Sequence, residues 1–317
     1  MSIKVSIGIP VYKVENYIER CARSLFEQTM KEDVEFIFVD DCSPDGSIEI
    51  VKRVLREYPQ REDQVRIIRH ERNLRLPSAR NTFLDAASGE YLMAVDSDDF
   101  IDATMVEDLY GAIEETNADL VWEDYFETHG HKDRYVLQRT GETPSDLLLS
   151  MLDGRVGGYT WNKIVRRKWV VDHGLRYMSF AQGLEDLLFW AEALRYAPRV
   201  SYLNKAHYHY VQREDSIVHL GFRFGLEART KICNRLKEQI AIMSNPSLDQ
   251  SLVRFIKRWK VDVTLLGLDR EGEWMSEHAY VYDCGLSVRK LIQYWIMRHG
   301  GFDFVLRLKG VLHRWMR

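Results

Sequence analysis

Short apolar runs alternate with stretches of helical spacing through the first hundred residues. Val5-Ser6-Ile7-Gly8-Ile9 reads as an apolar strand. Tyr17, Cys21 and Leu25, with Ile18 and Ala22, recur on one helical face and predict a helix over 17–28. A second strand spans 34–39 and runs into Asp40-Asp41. A helix over 47–58 turns Ile48, Val51, Val54 and Leu55 inward. A third strand at 65–69, a helix at 78–87 stopped by Ser88-Gly89, and a fourth strand at 91–95 follow. Near-continuous apolar strands separated by amphipathic helices predict an α/β fold, with a mostly parallel sheet covered by helices on both faces. Such sheets collect ligands at the carboxyl ends of their strands. Pro10 to Tyr12, Asp40-Asp41 and Asp96 to Asp98 all fall on that rim.

Beyond Asp99 the pattern loosens. It predicts a helix over 104–117, a strand over 119–126, a turn at 128–133 and a short helix over 144–152. A flexible stretch at 154–158, a helix over 185–195 and aromatic-rich strands over 199–210 come next. From about Phe222 the chain reads as helical to its end.

Composition narrows the class. With 317 residues, 45% hydrophobic and 29% charged, the chain has the make-up of an ordinary soluble protein with more than one lobe. A net charge of -4 lacks the basic footprint of a general nucleic-acid binder. Cys21, Cys42, Cys233 and Cys284 are far apart, which suits a reducing cytosol better than a zinc or disulfide framework. Met1 to Val5 runs straight into a strand, so no leader is expected, and no apolar run approaches the ~20 residues of a membrane span. Residues 285–317 carry Arg289, Lys290, Arg298, Arg307, Lys309, Arg314 and Arg317 against Asp303 alone, interleaved with aromatic and aliphatic residues. That pattern suits peripheral contact with an anionic membrane, or equally a helix packed on the body with its basic face in water.

The stretch Ala94-Val95-Asp96-Ser97-Asp98-Asp99-Phe100 carries the sharpest chemical signal. Carboxylates this close repel and raise one another's pKa unless a cation lies among them. At the end of a buried strand they point to a hard metal and a phosphorylated ligand, with a solvated acidic turn as the plainer reading.

Four segments resemble a known family. Val5 to Tyr12 with Glu15-Asn16-Tyr17-Ile18, Phe38 to Ser47, Asn73 to Asn81, and Ala94 to Phe100 are similar in order and spacing to the motifs of family 2 glycosyltransferases of the GT-A fold. The match is dense over Val5 to Asp102 and continues as scattered motifs to about Ile217. The resemblance implies a Rossmann-like sheet and an inverting transfer from a UDP-sugar. It assigns Pro10, Tyr12 and Asp41 to the uridine and Glu15 to the ribose. Arg80 would reach the diphosphate, or pair with Asp41 or Asp96. Arg75 stands where the family usually has glycine and offers a further phosphate contact. Asp98, with Asp96 shared with the ribose, would hold Mg2+ or Mn2+, whose positive charge offsets that of the leaving diphosphate.

Gly183 to Phe189 resembles the family's Gly-x-Glu-Asp-x-x-Phe segment. That makes Asp186 the expected catalytic base and Glu185 its support, although two acids in the first turn of a helix are also favoured by the helix dipole. Trp161 in Trp161-Asn162-Lys163 can pack on a sugar face or fill the core. His207 to Tyr210 and Arg213 to Ile217 resemble a Tyr-rich strand and an Arg-x-x-Ser loop that closes over the diphosphate in some relatives, which makes His209 and Arg213 candidates to bind phosphate or metal, with a satisfied polar group as the plainer reading of the histidine. The expected organisation is a nucleotide-sugar half over 1–102, an acceptor half over 103–217 and a helical region over 218–317. The expected partners are a UDP-sugar and a glycan or lipid-linked glycan, at the cytoplasmic side of the membrane. Two other classes stand beside this one: a non-catalytic nucleotide-sugar or carbohydrate-binding protein, and a haloacid dehalogenase-type phosphatase, which also sets two aspartates after a strand.

Overall fold

The computed structural model describes residues 3–181, 183–196, 199–213 and 226–265, with side chains of the last stretch described from 230 to 256. The chain divides into two compact units, Met1–Arg223 and Phe224–Arg317.

The first unit is built on a nine-stranded sheet. Strands β1 (Val5–Val11), β2 (Val34–Asp40), β3 (Val65–Arg69) and β4 (Tyr91–Ala94) are parallel and lie in the order β3-β2-β1-β4. The sheet continues through β8 (Lys163–Arg166), β6 (Leu120–His129), β9 (Val200–Val211) and the two-residue β5 (Phe100–Ile101). β8 runs antiparallel to both β4 and β6, whereas β9 runs parallel to β6. β7 (Lys132–Val136) folds back on β6 as a hairpin where a turn is expected. β8 pairs with the start of β6 and β7 with its end, and the register of β6 against β9 slips on both sides of Asp124. Bulges of this kind bend a strand. Buried Asp124 sits at the bend, accepting from the Gln138 amide and the hydroxyls of Tyr135 and Tyr202.

Two helical layers explain why β1 and β2 are mostly apolar and buried almost throughout. Ile7 and Ile9 share one buried cluster with α1 (Ile18–Phe26), α2 (Ser47–Leu55) and α4 (Met105–Thr116). Gly8 faces the other way, against α3 (Leu76–Ala86). A Cβ at Gly8 would lie 2.3 Å from the Phe83 ring, so glycine is what lets this helix lie on the strand. α5 (Pro144–Leu152), α6 (Arg167–Asp172) and α7 (Glu185–Leu194) complete the unit, with α5 against α7.

In the second unit, α8 (Leu226–Met243) and α9 (Pro246–Leu265) pack together across a Ser244-Asn245 connection. Ile232, Leu236 and Ile240 are buried at helical spacing. No described helix is long and apolar enough to cross a membrane. The basic stretch 285–317 lies outside the described residues.

Candidate active site

Three loops at the carboxyl ends of β1, β2 and β4 form one side of a cleft of about 550 Å3. Tyr12 follows β1, is 40% exposed and lines the cleft together with Pro10. Its loop is gripped by the turn after β2. Ser43 Oγ accepts from the Lys13 amide (2.8 Å), Ser47 Oγ from Val14 (3.2 Å) and Asp45 from Glu15 (3.1 Å). The Glu15 carboxylate turns to the Gly46 amide (3.0 Å) and is not among the residues lining the cleft.

Asp41 is buried at the rim and lines the cleft. Its carboxylate contacts His70 Nδ1 at 2.7 Å and accepts from the amides of Leu74 (2.7 Å) and Arg75 (2.8 Å). It therefore shapes the 73–75 loop as well as facing the cleft, a role that sequence alone does not reveal.

The acidic turn after β4 is held from below by β9. Tyr208 Oη donates to Asp99 Oδ2 (2.7 Å) and accepts from the Asp96 amide (3.1 Å), and the Val211 amide donates to Asp99 Oδ1 (2.8 Å). Burial, with the neighbouring Asp98 and Asp96, raises the Asp99 carboxyl well above the usual range. Asp99 is thus the internal anchor of the turn. Asp96 and Asp98 are left lining the cleft, with side chains 24% and 22% exposed.

Across the cleft, Glu185 and Asp186 occupy the first turn of α7. Arg80, on α3, joins the two sides. Its guanidinium donates to Asp186, to Asp96 (3.2 Å) and to Glu185 (3.4 Å), while Arg80 Nε is buried with no partner among the described residues. Burial opposes the arginine's charge, but Asp186, Asp96 and Glu185 outweigh it and raise the pKa. Burial pushes the Asp186 carboxyl up to about 7, with Arg80 opposing the rise. Burial raises Glu185 as well.

The far wall is aromatic. Trp161 is buried between Tyr159 (4.6 Å between ring centroids) and Tyr208 (4.2 Å), in nearly parallel stacks. Tyr159 and Tyr210 are half-buried and line the cleft beside it. Lys163 is fully buried behind this wall, bonded to the Tyr159 carbonyl (2.5 Å) and Asn162 Oδ1 (2.7 Å), and burial lowers its pKa to about 7. Arg213 closes one end, 2.8 Å from Asp98 and stacked on Tyr17.

The cleft therefore gathers Pro10, Tyr12, Asp41, Arg80, Asp96, Asp98, Trp161, Glu185, Asp186 and Arg213. It does not include His209. That ring is packed between Phe100 (4.2 Å) and Phe126 (4.9 Å), with Nε2 at 3.1 Å from Asp102. The expectation of phosphate or metal binding by His209 meets a buried, aromatic-clamped side chain instead. Tyr159, Tyr210, His70 and Tyr208 are the structural participants that sequence reading leaves without a role. Asn81 is another: it exchanges hydrogen bonds with the backbone of Tyr177 (2.8 and 2.9 Å), tying α3 to the loop ahead of α7.

Residues 6–174 match Glycosyl transferase family 2. The chain belongs to that family. EpsH of Bacillus subtilis (strain 168) is 35% identical over 222 residues, 68% of this chain and 62% of EpsH, so the chain spans about three fifths of that relative's length. The poly(ribitol-phosphate) beta-N-acetylglucosaminyltransferase TarS of Staphylococcus aureus (strain Mu50 / ATCC 700699) is 32% identical over 218 residues, 67% of this chain and 36% of TarS. The fold matches S. aureus TarS 1–349 in complex with UDP-GlcNAc, with a TM-score of 0.68 at 24% identity, over 92% of this chain and 78% of that one. It also matches the mannosyltransferase PcManGT of Pyrobaculum calidifontis in complex with GDP-Man and Mn2+, with a TM-score of 0.54 at 15% identity, over 92% and 78% of the two chains. The sheet is thus the GT-A sheet of family 2, and the phosphatase reading loses its basis.

Proposed function

We propose that this family 2 chain is an inverting glycosyltransferase. It would move a sugar from a UDP-sugar to the hydroxyl of a glycan or lipid-linked glycan, in cell-surface polysaccharide synthesis at the cytoplasmic face of the membrane. The observation that carries the reading is the convergence in one cleft of a nucleotide-side rim and the Glu185–Asp186 carboxylates, joined through Arg80. In this reading residues 1–102 supply the donor half and 103–217 the acceptor half. The N-acetylglucosaminyltransferase activity of TarS and the UDP-GlcNAc bound to it support the donor class.

Tyr12 offers an exposed ring for stacking on uracil. Asp41 Oδ2 accepts from the Arg75 amide and has capacity for a second donor, such as the uracil N–H. Asp186 takes the proton of the acceptor hydroxyl as that oxygen attacks the anomeric carbon, and a single displacement inverts the centre. Its raised pKa suits a base working near neutral pH. Glu185 and Arg80 fix its orientation. The aromatic wall excludes water and offers Tyr159 and Tyr210, rather than buried Trp161, as surfaces for a sugar.

The donor set at Asp96 and Asp98 fits a hard divalent cation. Both are partly exposed oxygen ligands, and among the described residues no group of three His, Cys, Asp or Glu could hold an ion by itself. Mg2+ commonly takes one or two carboxylates and completes its shell with phosphate and water. When bound, such an ion would neutralise charge on the departing diphosphate. Arg213 pairs with Asp98 and would have to share or yield it.

The experiment is a panel of UDP-sugars, scored for metal-dependent hydrolysis or transfer. Turnover of at least one UDP-sugar is expected. Tight UDP binding with no turnover of any donor would favour a non-catalytic binding protein.

A further inference from the structure

We infer that Arg75 is a donor-affinity residue whose guanidinium grips the diphosphate, carried by a loop held in a backbone conformation that suits glycine. The inference rests on the UDP-sugar reading of the cleft. Arg75 has φ 73° and ψ 164°, a region that residues with a Cβ almost never occupy. Such conformations persist only where surrounding bonds over-determine them. Here they do. Buried Asp41 accepts from the amides of Leu74 and Arg75 at once, and His70 fixes Asp41 from behind. On the other side, the Arg75 carbonyl accepts from Ser78 (3.0 Å) and Ala79 (3.2 Å) as α3 begins.

Glycine would make the same turn without strain. What arginine adds is a side chain, and this one is exposed and lines the cleft beside Asp41 and Asn73. The cleft is rich in carboxylates, which repel an anionic ligand. A planar guanidinium offers two parallel N–H donors to phosphate oxygens and adds positive charge to this acidic cleft. In this reading the strain is retained for the ligand.

Calorimetry with UDP and with uridine, beside thermal melts, tests this on the full chain, on Arg75→Gly and on Arg75→Lys. UDP affinity should fall about tenfold or more in Arg75→Gly, as expected for losing a charge-assisted contact, and recover in part in Arg75→Lys. Uridine affinity should not change. Relief of strain should raise the Tm of Arg75→Gly by about 2–5 °C. Equal UDP affinity in wild type and Arg75→Gly would overturn the inference. An equal loss for UDP and uridine would place the guanidinium on the nucleoside and overturn the diphosphate assignment. A lower Tm would show that the arginine serves the loop itself. Failure of the wild-type chain to bind UDP would instead defeat the donor reading on which the inference rests.

Discussion

Arg80 shows how much depends on a single side chain in this cleft. A buried guanidinium is costly unless paired, and this one is paired three times, across segments 16 to 106 residues apart in sequence. Removing it would strand Asp186 and Glu185 and destabilise the fold by about 3–5 kcal/mol. The effect on chemistry has a definite sign. In the proposed mechanism Asp186 is the base, and its carboxyl, pushed up to about 7 by burial, is protonated below that pH and ionised above it. The pH profile of kcat/KM should rise through about 7 to a plateau. In Arg80→Lys, where the charge sits less well, the rising limb should move to higher pH; an unmoved limb would separate Arg80 from the base. Asp98→Ala should cut transfer at least ~100-fold, while Tm stays within about 2 °C because the side chain is partly exposed and near the surface. Full transfer by that variant would remove Asp98 from the mechanism. The acids themselves are legible in the sequence as short motifs. The pairing of Arg80 is not, because nothing local brings positions 80, 96 and 186 together. His209 illustrates the opposite difficulty. A strand of alternating His and Tyr does not disclose which residues face the cleft, and β9 turns Tyr208 toward the acidic turn and His209 into an aromatic clamp.

Elements that are apolar on both faces are the ones a sequence discloses best. β1, β2 and β4 are buried almost throughout, so their places in the chain follow from composition, although β1 runs on past Ile9 to Val11. β8 goes unread because Lys163-Ile164-Val165-Arg166 is short and has a basic residue at each end, although Lys163 is buried and bonded to the Tyr159 carbonyl and to Asn162. β5 is two residues long and exists only by pairing with β9. That pairing matters, because β9 sets the height of the acidic turn. Tyr208→Phe would leave the buried Asp99 carboxylate with the Val211 amide and no hydroxyl, a loss of about 1–3 kcal/mol in urea unfolding, together with weaker UDP binding. Unchanged stability and affinity would mean that the turn holds itself. The Gly8–Phe83 contact gives a second check on packing. Gly8→Ala should cost about 1–3 kcal/mol, because the added methyl meets the ring in a filled layer.

At the scale of the molecule, family 2 supplies the sheet, and the rim loops with α3 and α7 supply the candidate chemistry. The four parallel strands and their rim were legible from alternation and motif spacing. The aromatic wall was not, because Tyr159, Trp161 and Tyr208 come from two distant segments. The basic stretch 285–317 carries a separate expectation. Deleting it should reduce co-sedimentation with anionic vesicles without affecting neutral ones, and unchanged partitioning would leave it a solvated face. The most direct test of the central claim compares wild type with Asp186→Asn, measuring transfer from the best UDP-sugar and UDP affinity on the same preparations. UDP affinity should hold within a few-fold while transfer falls at least ~100-fold, as for loss of a general base. Full transfer by Asp186→Asn would contradict the account.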